Sequence, residues 1–198
     1  WLFGLPSSSS HALFGGLIGA VVVGAGFGAI DGGVLLSKVV LPALLAPVIA
    51  CSVAFLATRL AYLIAARSDS AQGGFRYGQV FTSSLVSLAH GTNDAQKTMG
   101  VITLTLVAAG FQTAGTGPEF WVIVVCALAI ALGTYMGGWR IIRTIGTRIT
   151  DIAAPQGFAA EASTAATILA SSHLGFALST TQVASGSVIG AGLGRDVR

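Results

Sequence analysis

Six long apolar runs, at residues 12–30, 39–65, 78–109, 119–137, 158–173 and 176–193, constrain this chain more than any other feature. A helix of about 20 apolar residues spans a hydrocarbon core of ~30 Å while satisfying its own backbone hydrogen bonds. Composition agrees: 54% of residues are hydrophobic and 9% charged, against roughly 25% charged in soluble domains. The mean hydropathy is +0.83. The expected fold is all-α, a polytopic membrane protein, and its 27 glycines suit close helix packing and covered irregular backbone. The ten Lys and Arg behind the net charge of +3 fall mostly between the runs. They are read as topology signals and not as a nucleic-acid patch. Cys51 and Cys126 sit inside apolar runs as small hydrophobes and make no metal site. The chain starts at Trp1 without a signal peptide, so a fragment of a longer protein is expected.

The third run is too long for one crossing. Its 32 residues would form a helix of roughly 48 Å. Gly91 lies near its centre and is followed by Thr92, Asn93 and Asp94, residues that favour helix starts. Two half-helices meeting around 90–93 are therefore predicted. Arg59, Arg67 and Arg76 flank the connection 66–77, and Arg140, Arg143 and Arg148 mark 138–151, whereas 110–118 carries no Lys or Arg. The positive-inside rule puts the first two segments in the cytoplasm and the third outside. Residues 138–151 alternate arginines with apolar residues and are expected to lie on the cytoplasmic surface as an amphipathic helix, a soluble linker being the alternative.

Residues 4–20 and 175–191 align without gaps. Gly4, Ser8, Gly15, Ile18, Gly19 and Ala20 meet Gly175, Ser179, Gly186, Ile189, Gly190 and Ala191, and Ser9 and Ser10 meet Thr180 and Thr181. The charge distribution gives the copies opposite orientations, the pattern of inverted-repeat secondary transporters with substrate near the midplane. Residues 1–30 are then the end of a first repeat, and 31–77 a span (39–65) with its cytoplasmic loop. Residues 78–198 form the second repeat: broken helix 78–109, span 119–137, amphipathic segment 138–151 and helical hairpin 158–193.

Ser7 to His11 open one helix, and Ser179, Thr180 and Thr181 open its counterpart. Free N–H groups, the helix dipole and added hydroxyls make such starts suited to a small tetrahedral oxyanion, although simple N-capping uses the same residues. Asp94 and Lys97 would each cost about 2.5–3.5 kcal/mol at a membrane helix centre, so a function or a partner is required. Three apart, they can pair with each other. Asn93 and Asp94 offer oxygens to a cation or a carboxylate to a proton, and His90 can relay a proton or simply pack.

Taken together, these residues resemble the inorganic phosphate transporter (PiT) family. Gly91, Asn93, Asp94 and Gly100 match its G-x-N-D signature and following glycine; Pro6, Ser8, Ser9, Ser10 and His11 match its P-x-S-[ST]-[ST]-H segment. The resemblance implies symport of inorganic phosphate with a cation in a bacterial inner (plasma) membrane, with no cofactor. Phosphate is then expected at Ser8, Ser9, Ser10, Asn93, Asp94, Ser179, Thr180 and Thr181, and cation coupling at Asp94, Asn93, His90 and Lys97. The partners implied are phosphate, a co-transported proton, sodium or divalent metal, the lipid bilayer and, as one assembly the family allows, a homodimer. Lys97 stands where the fuller signature often has a second asparagine, and Gln182 where the first copy has His11. The lysine favours a proton, or a neutral metal-phosphate complex, over sodium. A symporter of another oxyanion such as sulfate remains the alternative within transport. An intramembrane serine hydrolase is the rival from another class, and it lacks a G-x-S-x-G turn or a third triad member.

Overall fold

Residues 7–66, 71–139, 142–144 and 152–195 are described by a computed structural model. Among them the regular structure is helical: α1 (Ser9–Ala25), α2 (Gly32–Ala65), α3 (Ala71–Ala108), α4 (Phe120–Gly137), α5 (Ala154–His173) and α6 (Thr180–Leu193). By length and composition, α2 and α4 can each cross a membrane. Gly4 and Pro6 of the first motif, and most of the predicted amphipathic segment 138–151, lie outside the described residues.

α2 starts cleanly and is then interrupted. The Asp31 carboxylate accepts from Gly33 N at 2.9 Å and Val34 N at 3.0 Å, satisfying two of the first-turn donors. A wide π-type turn follows at Leu36–Val40, immediately ahead of Pro42. Proline has no N–H, so the Lys38 carbonyl four residues earlier loses its helical donor. The freed carbonyl accepts instead from Ala177 N at 2.9 Å, in the turn between α5 and α6. The Lys38 side chain reinforces this attachment: its Nζ donates to Leu174 O at 3.2 Å and lies 4.9 Å from the Phe176 ring centre.

Packing is close because the inward faces are small. α6 lies along α2 and forms a hairpin with α5, while α3 runs along α5 and meets α4. The buried clusters consist largely of alanine, with Ile168, Leu178, Val183 and Val188 as the larger members. Leu44, Leu56, Leu60, Leu63, Leu128 and Leu132 point outward. This is the arrangement for a lipid surround, where large apolar side chains need no shelter and small ones let backbones approach. Gly186 and Gly190 on α6 and Gly194 at its C-cap recur every four residues and face the carbonyls of Pro47, Cys51 and Phe55 on α2, themselves four apart. A methyl group at Gly194 would come within 2.8 Å of the Phe55 oxygen, and the other two positions are tighter.

The predicted break at 90–93 is not there. α3 is continuous for 38 residues, about 57 Å. Its extra length comes from residues 71–77, expected to be loop, which form its first two turns. Gly91 costs a helix only about 1 kcal/mol relative to alanine, too little to interrupt one packed along α5. Hydroxyls in and just after the predicted break also bond within the helix. Thr92 Oγ1 bonds back to Leu88 O and Thr98 Oγ1 to Asp94 O, as hydroxyls in helix interiors do.

Three outcomes are expected from thermal unfolding of the purified protein. Gly190→Leu should destabilise it by about 1–3 kcal/mol or prevent folding, because overpacking here meets backbone, whereas Gly91→Ala, whose added methyl meets nothing within 4 Å, should leave stability equal or higher. Lys38→Met should cost about 1–2 kcal/mol by removing the donor to Leu174 and the ring contact.

Candidate substrate and cation site

The site is assembled at two helix starts and one helix middle. Ser8 caps α1 with φ −87° and ψ 107°, its Oγ accepting from His11 N at 3.1 Å. Ser179 caps α6 with φ −96° and ψ 111°, its Oγ accepting from Gln182 N at 3.3 Å. These serines occupy equivalent places in the sequence repeat, and the local geometry is the same. The following pair shares a further property: His11 Nε2 and Gln182 Oε1 are both buried and without a hydrogen-bond partner among the described residues.

Lys97 links the two starts. Its Nζ donates to Ser10 Oγ at 2.9 Å on α1 and to Leu178 O at 2.6 Å, the residue before the α6 cap. The Asp94 carboxylate, one turn back on α3, is farther away at 3.5 Å. Lys97 is 13% exposed and Asp94 22%. A lysine held only by its helical neighbour would place that contact first. Here the long stem carries the charge past Asp94 to the two helix starts.

His90 extends the cluster. Its Nδ1 lies 3.0 Å from Thr180 Oγ1 and 3.7 Å from Asp94 Oδ2. Asn93 is buried, and its Nδ2 donates to Asp94 Oδ1 at 3.4 Å. Ser10, Thr180, His90, Asn93, Asp94 and Lys97 are thus one connected group. The other candidates are placed differently. Ser8 and Ser179 spend their side-chain oxygens on capping, Ser9 is exposed, and Thr181 lines a groove against Pro47, Cys51 and Ser52 of α2.

A second polar cluster escaped the sequence reading. The Glu161 carboxylate on α5 accepts from Thr82 Oγ1 at 2.7 Å and Ser83 Oγ at 2.6 Å on α3. The signal was available: a lone carboxylate in the run 158–173 invites the same question as Asp94. The Leu178 carbonyl could not have been found this way, because a main-chain oxygen has no residue type.

Chemically, the main cluster offers hydroxyls, a carboxylate, an ammonium and two helix N-termini within one polar region. Such a region can hold an oxyanion and can exchange a proton or a cation at Asp94 and His90.

Comparison with known proteins gives this arrangement its context. The model of the phosphate transporter family matches residues 1–74 and 64–198. A probable low-affinity inorganic phosphate transporter of Mycobacterium leprae (strain TN) is 57% identical over 98% of this chain and 48% of its own length. One from Bacillus subtilis (strain 168) is 39% identical over 100% of this chain and 60% of its own. The chain therefore spans about half the length of the mycobacterial relatives it matches. Among solved structures, "The sodium-dependent phosphate transporter" superposes with a TM-score of 0.81 at 22% identity, over 98% of this chain and 66% of that one. With the family model covering the chain from end to end and the helical fold matching, this chain belongs to the phosphate transporter family.

Proposed function

We propose that the whole protein is a multi-pass carrier of the bacterial plasma membrane that moves inorganic phosphate by symport with a cation. The observation that carries this reading is the Lys97 ammonium lying between the starts of α1 and α6. Each helix start contributes a partial positive charge, and the ammonium adds a full one. Three positive ends converging away from bulk water favour an anion there. The hydroxyls of Ser10 and Thr180 supply donors to its oxygens, with Asn93 as a further donor. Relatives named as low-affinity inorganic phosphate transporters support phosphate as that anion.

Asp94, beside His90 and Lys97, is the group that answers for the co-transported cation. Its carboxylate takes a proton or faces the metal of a neutral metal-phosphate complex. Both carriers suit a site that already holds a fixed positive charge. Sodium remains the alternative, as the name of the structural neighbour indicates for that protein. Sulfate is the alternative anion, since amides and hydroxyls bind either tetrahedral ion.

Labelled phosphate uptake by cells expressing the full-length protein tests the reading. Arsenate should compete and sulfate should not. Asp94→Asn should lower uptake at least about ten-fold, the loss that goes with about 1.4 kcal/mol of interaction, at unchanged membrane abundance. Competition by sulfate alone would replace phosphate with that ion. Unchanged uptake in Asp94→Asn would remove the carboxylate from coupling.

A further inference from the structure

We infer that the Lys97 ammonium is a resident cation: it fills an oxygen cage of the kind that holds an alkali-metal ion and thereby makes the carrier indifferent to sodium. The transport arm of this inference rests on the phosphate-symport reading; the binding arm does not.

Three oxygens surround Nζ, each from a different part of the chain. They are the Ser10 hydroxyl on α1, the Leu178 main-chain carbonyl ahead of α6 and the Asp94 carboxylate on α3. Hydroxyl, carbonyl and carboxylate oxygens are hard donors, the set that binds hard cations. Lysine has three N–H donors and no acceptor, so these three oxygens use its hydrogen-bonding capacity in full. The ammonium has the charge of an alkali ion and reaches the cage on a stem from within the membrane.

A purely structural lysine, paired within α3, would not show this order of contacts. The shortest contact, 2.6 Å, is to the carbonyl, the next, 2.9 Å, to the hydroxyl, and the longest, 3.5 Å, to the carboxylate of its own helix. The ammonium is therefore centred on oxygens contributed by two separate helix starts. Replacing Lys97 by asparagine withdraws the charge and the stem, keeps the three oxygens and adds an amide oxygen. The result is a neutral side chain beside an oxygen cage with room for a free ion.

The test uses the purified full-length protein in two measurements. The first is thermal unfolding in detergent, without phosphate, in sodium chloride and, at equal ionic strength, potassium or choline chloride. The second is phosphate uptake into proteoliposomes with and without an inward sodium gradient. Wild type and Lys97→Arg, which keeps the charge, should ignore sodium in both. Lys97→Asn should gain a sodium-specific rise in unfolding temperature and at least about five-fold sodium stimulation of uptake, the lower end of usual coupling between two sites. Lys97→Gln serves equally if the asparagine variant does not fold. Sodium stabilisation of wild type equal to that of the variant, or folded variants that respond no more to sodium than to choline, would overturn the inference. Absence of phosphate uptake by wild type would instead strike the transport reading, and the unfolding measurement would still decide whether Lys97 occupies an ion's place.

Discussion

Irregular backbone surrounded by apolar helices survives only if each of its polar groups finds a partner, and the turn between α5 and α6 shows how this is met. Two ammonium groups supply donors, Lys38 to the Leu174 carbonyl and Lys97 to that of Leu178. Phe176 N returns to Ser171 O at 3.0 Å, and Ala177 N finds the carbonyl that Pro42 releases on α2. The π-type turn, the proline and the two lysines thus belong to one arrangement. It fixes where α6 begins, and with it the positions of Ser179 and Thr180.

Lys97 consequently has two duties that cannot be separated by inspection of charge alone. It satisfies a buried carbonyl, which any donor of the right length would do. It also brings a positive charge to the convergence of α1, α3 and α6, which only a cation does. Asp94 is close enough to balance part of that charge but too far to hold the ammonium by itself. The charge stands beside two helix starts, whose free N–H groups add partial positive charge of their own.

Much of this was legible in the sequence because it rests on residue type and spacing. The apolar runs forecast helices, the signature at Gly91 to Gly100 indicated the family, and His90 and Lys97, joined to Asn93 and Asp94, do meet Thr180 and Ser10. The serine repeat also proved to be a repeat of capping geometry at Ser8 and Ser179. What failed was the inference from helix-breaking residues to a broken helix. Local preferences of Gly91 and Asn93 amount to about a kilocalorie or less each, and packing of α3 along α5 outweighs them. The partners of Lys97 were hidden for another reason. One is a main-chain oxygen, and the choice between it and Asp94 depends on where a hairpin 81 residues away is anchored.

The glycine-to-carbonyl contacts of α6 on α2 have a mechanical consequence. At Gly186 and Gly190 the nearest atoms of α2 are backbone and not side chain, so no rotamer change can absorb a small displacement along the axis. A slip of one or two residues would drive Ser187 or Val188 into a carbonyl of α2. The next register that fits is a full glycine step away, four residues or about 6 Å. The pair therefore behaves as a toothed rack with widely spaced notches: rigid to gentle force, and able to differ from its present setting only by a whole tooth.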